Sequence, residues 1–391
     1  MKLQPDSNND WINQRDPNYA TYSVISSEKK GKKVFKYNSL GIGTNRDAWV
    51  YGFSLKDVSK KVNRFIDFYN KQARKSQITR DNTKIKWTAR LEKSAKEGKI
   101  LKYNQTNLKL VLYRPFTKKW LYYAGEVVER PRLFEEKWGT NNTAIVTTGR
   151  SNKKDFSAIV SRFLPDVQLE MNGQTFIRFD NSKKDNGELL TNSNDNLTKE
   201  FANKLGLSLD DTFAYVYGLL SSKEYQAKYQ NDLKKDLARI PIAKNKEKYV
   251  EIGKELMNLH LNYEEVPAYD KVNLKYSGIP DYKVKKMKFV KKINSKGKLE
   301  KDKSTIVFND SITIENIPEK AYEYVVNGRS AIEWIMDQYQ VKTDKKSGIT
   351  DDPNDFSDDP KYIFNLLLSI INVSVQTVDL INQLPKLKID E

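Results

Sequence analysis

No cysteine occurs anywhere in the 391 residues, so neither disulfides nor thiolate metal centres can hold this chain, and its order has to come from side-chain packing. The material for packing is there. Hydrophobic residues make up 38% and Tyr, Phe and Trp 11% of the sequence, far above the level of chains that cannot offset the entropy of ordering. The length suits one substantial core and more naturally two or three connected subdomains. One histidine, His260, stands in Leu256-Met257-Asn258-Leu259-His260-Leu261, where it reads as a satisfied helix histidine rather than a base. Metal chemistry would rest on carboxylates. No run approaches the roughly 18 to 20 apolar residues of a membrane span, and the polar Met1–Asp10 terminus is not signal-like. Together these predict a cytoplasmic protein with no membrane partner.

The charge is unevenly placed. Between Lys56 and Lys119 there are nineteen Lys or Arg against five Asp or Glu, a net +14 out of the +17 of the whole chain. Cations that neutralise phosphates release counterions, so a concentrated patch points to nucleic acid. Within it, Val58, Val62, Phe65, Ile66 and Tyr69 recur at helical spacing over Asp57–Ser76, with cations on the remaining positions, which predicts a basic amphipathic helix. Thr88–Lys99 predicts a second. A solvated helix face is the ordinary alternative for such a run.

Around this segment the pattern alternates between turns and short β-type runs. Tyr19, Tyr22, Val24 and Val34, Phe35, Tyr37 read as strands, as do Leu108–Tyr113, Trp120–Tyr123, Thr143–Thr148 and Ala158–Phe163. The turn Arg114-Pro115-Phe116-Thr117-Lys118-Lys119 gathers three cations. Residues Asn181–Asn196, rich in Asn, Asp, Ser and Lys, read as a linker or surface loop. Three helices follow over Asp210–Leu220, Lys223–Leu237 and Lys246–Leu261, with Asp210 or Asp211 as N-cap. A β-hairpin over Tyr282–Ile293 and Ser304–Ile314 turns at Asn294–Gly297; helices over Ala321–Gln340, interrupted at Asn327-Gly328, and Tyr362–Leu384 close the chain. The predicted class is mixed α/β. Its expected segments are a junction and β-rich opening over 1–55, basic helices and a β-rich recognition part over 56–180, a helical subdomain over 197–265, and a hairpin with C-terminal helices over 280–391.

Catalytic patterns are weak. Gly41-Ile42-Gly43-Thr44-Asn45-Arg46-Asp47 lacks the third glycine of a dinucleotide fingerprint and the Gly-Lys-Ser/Thr of a P-loop. Its Asn and Arg are instead the types that bond adenine and guanine edges; a plain surface turn is the alternative. Glu28-Lys29-Lys30 and Glu97-Gly98-Lys99 match half of a metal-dependent nuclease site, with Asp16 and Asp81 upstream. Two-metal cleavage needs carboxylates fixed on adjacent strands, and these fall on apparent helix or loop.

Several blocks, in order along nearly the whole chain, resemble the C-terminal specificity domain of Type ISP restriction-modification enzymes, the single-polypeptide ATP-dependent class. They are Asp10-Trp11-Ile12-Asn13-Gln14-Arg15-Asp16, Thr44-Asn45-Arg46-Asp47-Ala48-Trp49, Tyr113-Arg114-Pro115-Phe116, Phe213-Ala214-Tyr215-Val216-Tyr217-Gly218, Asp236-Leu237-Ala238-Arg239-Ile240-Pro241 and Asn327-Gly328-Arg329-Ser330-Ala331-Ile332-Glu333-Trp334. The resemblance implies a target-recognition region for double-stranded DNA in a phage-defence system. Nuclease, ATPase and adenine-N6 methyltransferase activities, with their S-adenosylmethionine, ATP and Mg, would belong to other parts of the parent enzyme. The Asn-Pro-Pro-Tyr/Phe methyltransferase motif, the glycine-rich S-adenosylmethionine loop and the helicase P-loop are missing from this sequence. The chain is therefore expected to be an excised domain or a product that works beside a methyltransferase, with no cofactor and no catalytic residue of its own.

Residue type and loop position give the expected contacts. Base edges would be met by Thr44, Asn45, Arg46, Arg150, Ser151, Asn152 and Lys153, phosphates by Lys60, Lys61, Arg64, Arg74, Lys75, Arg114, Lys118 and Lys119. Two rivals remain: a small metal-dependent nuclease using Glu28 or Glu97, and a structural coupling domain that docks a methyltransferase.

Overall fold

The computed structural model describes residues 4–6, 10–12, 14–26, 32–132, 134–182 and 194–390. It is a mixed α/β fold built on several small sheets, with helices distributed between them. One sheet acts as a partition. Its strands run Ser39–Leu40, Gln174–Ile177, Ala144–Thr147 and Ala158–Ser161 in spatial order, all antiparallel. Side chains alternate across a strand, and here both faces are buried. The cross-strand pair Ile145 and Val160, with Phe176, enters the core of the helical unit, whereas the next pair, Val146 and Ile159, enters the core of the C-terminal part. That explains why these strands read as continuous apolar runs.

A second sheet, Tyr51–Gly52, Thr117–Tyr122, Leu108–Arg114 and Leu164–Pro165, carries the basic helix. This helix spans Leu55–Gln72, two residues earlier than its expected start, because the Ser54 side chain accepts the Asp57 N–H. Val58, Val62, Phe65, Ile66 and Tyr69 are buried as the periodicity requires, and the helix stops where Arg74 turns left-handed at φ 66°. The shorter helix Ala89–Lys96 is capped by Thr88.

Several elements differ from expectation. Tyr19 lies in a 3-10 turn, Tyr19–Thr21, and Tyr37 follows the strand Lys33–Phe35 rather than joining it. Of the expected linker, residues 183–193 lie outside the described residues, but Asn194–Asp195 pairs with Phe179–Asp180 and Asn196 is buried, bonding Tyr37 and Ile177. Ser208, not Asp210 or Asp211, caps the helix Leu209–Ser221; both aspartates sit in its first turn, where the helix dipole favours them. The helix expected over Lys223–Leu237 breaks at Tyr229, whose ring is buried against Tyr19 at 4.9 Å between centroids. The interruption at Asn327-Gly328 is a hairpin turn with both residues left-handed (φ 48° and 76°), so Ala321–Gln340 resolves into a 3-10 turn, this hairpin and the helix Ala331–Gln338.

The expectation that no run is long and apolar enough to span a membrane is also corrected. Tyr362–Asn382 is one such helix by length and composition, and 67% of its apolar window is buried inside the fold. It packs on the 3-10 turn Glu319–Tyr322 and on the helices Ala331–Gln338 and Lys246–Leu261, which makes it the central strut of the C-terminal core.

The helices Leu209–Ser221 and Lys246–Leu261 approach closely at Gly218 and Gly253. A methyl group at Gly253 would fall on the Ala214 carbonyl, and one at Gly218 on the Tyr249 carbonyl. Gly253→Ala is therefore expected to destabilise by about 1–3 kcal/mol through overpacking, although alanine is the better helix former. Urea unfolding monitored by tryptophan fluorescence checks this; a neutral or stabilising result would show that the helices can separate freely.

Candidate nucleic-acid interface

Three loops meet along one edge of the partition sheet: residues 41–47, 149–154 and 166–173. Their backbones are pinned. Gly41 donates to the Gly173 carbonyl (3.2 Å), Val167 to Ile42 (2.9 Å), and Gly43 exchanges both main-chain bonds with Arg130 (3.1 and 2.8 Å). A Cβ on Gly41 would lie 2.6 Å from the Asp166 carbonyl carbon and oxygen, so only glycine fits. Gly149 donates to Met171 (3.0 Å), and Asn152 holds the turn from inside, accepting the Lys154 N–H (2.9 Å) and donating to the Met171 carbonyl (3.3 Å).

A buried polar node ties the same loops to the hairpin turn at Asn327-Gly328. Glu170 accepts from Ser157 (2.8 Å) and Thr148 (3.3 Å), Ser157 accepts the Asn327 N–H (2.9 Å), and Lys154 Nζ donates to the Asn327 carbonyl (2.8 Å). Glu170 is fully enclosed. Burial pushes its carboxyl up to about 8, against the lowering effect of the Ser157 and Thr148 hydroxyls and of Lys154.

Sequence-expected residues divide sharply in this frame. Asn45, left-handed at φ 56°, is exposed, as are Arg150, Ser151 and Lys153; Arg150 lies 3.2 Å from Asp236. Thr44, Arg46 and Asn152 are buried. Arg46 is fully enclosed, its guanidinium bonded to the Val127 carbonyl, Thr88 Oγ1 (2.8 Å) and Glu129 (3.4 Å), and Thr44 bonds Asp47. These three shape the loops from beneath and present no edge to a ligand.

The expected phosphate contacts divide the same way. Lys60, Arg64, Arg74 and Lys75 are exposed, on the basic helix or just beyond its end. Lys61 is turned inward to the Tyr51 carbonyl, and burial lowers its ammonium to about 8, against the opposing pull of Asp351. Arg114 pairs with Asp166 (2.8 Å), Lys118 with Glu264 (2.5 Å) and Lys119 with Asp351 (2.7 Å). The three cations of the Arg114–Lys119 turn are thus internal struts between distant parts of the chain, and the phosphate role expected for them is not carried forward.

Other residues, not anticipated, share the surface. Gln168 and Asn172 are exposed on the middle loop, Asn172 left-handed at φ 52°; the Asn172-Gly173 dipeptide between β-type runs was the available signal. A cleft of about 560 Å³ is lined by Asn45, Gln168, Lys86 and Lys346, and it meets at Trp49 and Ser347 a second groove of about 890 Å³ along Lys60, Arg64 and Lys84. Amide side chains and cations thus share one continuous depression with aspartates, among them Asp57, Asp67 and Asp355 in the larger groove and Asp344 in the smaller.

The family model of the Type ISP C-terminal specificity domain matches residues 33–366. The chain belongs to that family. Among solved structures, this specificity domain resembles a nuclease-deletion mutant of the Type ISP restriction-modification enzyme LlaGI in complex with a DNA substrate mimic (44% identity, TM-score 0.87), covering 100% of this chain and 36% of that one. It also resembles the ATP-dependent Type ISP enzyme LlaBIII bound to DNA (42%, TM-score 0.90, covering 100% and 26%) and a DrdV–DNA complex (25%, TM-score 0.84, covering 100% and 40%). The specificity domain thus spans well under half the length of these relatives. No curated protein gives a significant match.

Proposed function

We propose that this specificity domain reads an asymmetric sequence in double-stranded DNA and thereby directs adenine-N6 methylation and ATP-dependent cleavage carried out by other domains or by a methyltransferase partner. The observation that carries the reading is the edge where Asn45, Gln168, Asn172, Arg150 and Lys153 stand exposed on loops anchored from below, with Asn45 and Gln168 in a cleft that runs into the groove beside the basic helix. Amides and guanidinium groups read base edges, whereas the helix cations track phosphate without sequence preference. The similarity to enzymes captured on DNA supports the same reading.

Binding selection from a random duplex library at near-physiological salt tests it, since high background from phosphate contacts is suppressed there. Enrichment of one asymmetric motif is expected. Asn45→Ala should then cost about 1–3 kcal/mol and relax one position of that motif. Lys60→Ala or Arg64→Ala should weaken all duplexes alike and lower the salt slope by about one per lost contact. Retention of no duplex at all would transfer the chain to the coupling-domain reading. The nuclease reading gains nothing from the geometry: Glu97 ends a helix between Lys93 and Lys99, Glu28 lies outside the described residues, and among the described residues no group of three acidic or histidine side chains could hold a metal.

A further inference from the structure

The ribbon formed by Lys288–Ile293 and Leu299–Val307 projects beyond the C-terminal core, with almost every residue from Val290 to Lys301 exposed. Its register places Val290 opposite Asp302, Lys291 opposite Lys301, Lys292 opposite Glu300 and Ile293 opposite Leu299. Directly opposed residues share a face and successive pairs alternate. One face is net negative: Lys292 reaches Asp302 (3.5 Å), and Glu300 accepts from the Asn294 amide (3.1 Å). On the other face two lysines stand opposite each other, an arrangement that weakens a ribbon. Neither has a carboxylate partner among the described residues, and Lys301 lies only over the Phe289 ring, 5.7 Å from its centroid.

That cationic face looks across a cleft of about 570 Å³, lined also by Glu333 and Asp337, to Arg329, which is exposed and lies 3.4 Å from Asp337. Arg329 follows the Asn327-Gly328 turn, which Lys154 clamps to the recognition loops through two bonds of 2.8 and 2.9 Å. The turn that carries Arg329 is thereby tied to the reading edge, and Lys303 of the ribbon reaches Glu333 (3.4 Å) on the helix that follows that turn. We propose that Lys291 and Lys301, with Arg329, form a second phosphate-binding surface that grips duplex DNA outside the bases read by the loops. A phosphate between the two lysines removes the repulsion that the free ribbon carries, and the net negative opposite face gives the contact a direction. This inference rests on the DNA-recognition reading.

Fluorescence anisotropy of the 391-residue chain with a labelled random-sequence duplex, titrated from about 50 to about 200 mM salt, tests it. Lys291→Gln combined with Lys301→Gln should lower the slope of log affinity against log salt by about 0.9 for each lost phosphate contact, close to two in all. It should leave any enriched motif unchanged. Lys292→Gln, on the opposite face, should leave the slope where it is. Circular dichroism of both variants confirms that the fold is retained. Binding by the unaltered chain with an unchanged slope in the double variant overturns the ribbon assignment alone. Equal losses from both faces overturn its directionality and reduce the effect to net charge. Failure of the unaltered chain to bind any duplex overturns the DNA reading and this inference with it.

Discussion

Replacing Arg46 by alanine is expected to destabilise the protein by about 3–5 kcal/mol, the range found when one partner of a buried, hydrogen-bonded ion pair is removed. Its guanidinium satisfies the Val127 carbonyl, the Lys86 carbonyl (3.4 Å), Thr88 Oγ1 and Glu129 at once, and lies 5.8 Å from the centroid of the Phe65 ring beneath the basic helix. Truncation takes the Arg46 donor from the Val127 and Lys86 carbonyls, leaves Glu129 with the Thr88 hydroxyl (2.7 Å) but no cation, and opens a cavity against Phe65. Lysine should not rescue it, because a point charge cannot serve acceptors arranged around a planar fork. Urea unfolding of Arg46→Ala and Arg46→Lys gives the magnitude. Full stability combined with lost DNA affinity would instead return Arg46 to the base-reading role that its neighbourhood in the sequence suggested.

The second large effect is in pH. Glu170 is raised from 4.5 to about 8 by burial, and His260 is lowered from 6.5 to about 3 by burial. Glu170 carries more protons folded than unfolded between those limits, so its stabilising effect is complete below 4.5 and is lost as pH rises to about 8. His260 is the reverse. It is neutral in the fold, bonded to the Tyr217 hydroxyl (2.6 Å) and Thr377 Oγ1 (2.8 Å), and its effect is present above 6.5 and lost as pH falls towards 3. Each effect has a ceiling of about 5 kcal/mol. Between 4.5 and 6.5 the two slopes oppose each other, so stability should be nearly flat there and fall on either side. Glu170→Gln should remove the alkaline fall while leaving the acid one. Because the chain has one histidine, its imidazole proton resonances can be followed without assignment; a midpoint near 6.5 would show that His260 is not sealed in the core.

Local pattern sufficed where an element is defined by its own residues. The helix Lys246–Leu261 has the limits read from periodicity, and the apolar positions of the basic helix are those that pack. The apolar runs at Ala144–Thr147 and Ala158–Ser161 were legible as strands, although their two-sided burial was not. What escaped was every feature whose cause lies far along the chain. Arg46 meets Glu129 and Lys119 meets Asp351, and no local rule separates a cation with such a partner from one facing water. Lys60 and Lys61 are adjacent in a basic run, yet a rotation of one helical position sends one outward and the other to the Tyr51 carbonyl. Candidate reading loops could be named from their residue types, but the middle loop with Gln168 and Asn172 could not, because only the folded sheet brings it between the other two.

The division within those loops bears on how new specificities arise. Glycines, main-chain bonds and the inward-facing Arg46, Asn152 and Glu170 fix the course of the backbone, while Asn45, Arg150, Lys153, Gln168 and Asn172 project from it without supporting it. Exchange at Arg150, Lys153 and Gln168 therefore costs the fold little, whereas Asn45 and Asn172 hold left-handed backbone that only Gly, Asn or Asp adopts readily; on the proposed DNA-reading role, a lineage can change its site most freely at the first three. The same separation marks Arg150, Lys153 and Gln168 as the positions to randomise in a library meant to retarget the domain, with Asn45 and Asn172 varied only among residues that accept left-handed backbone.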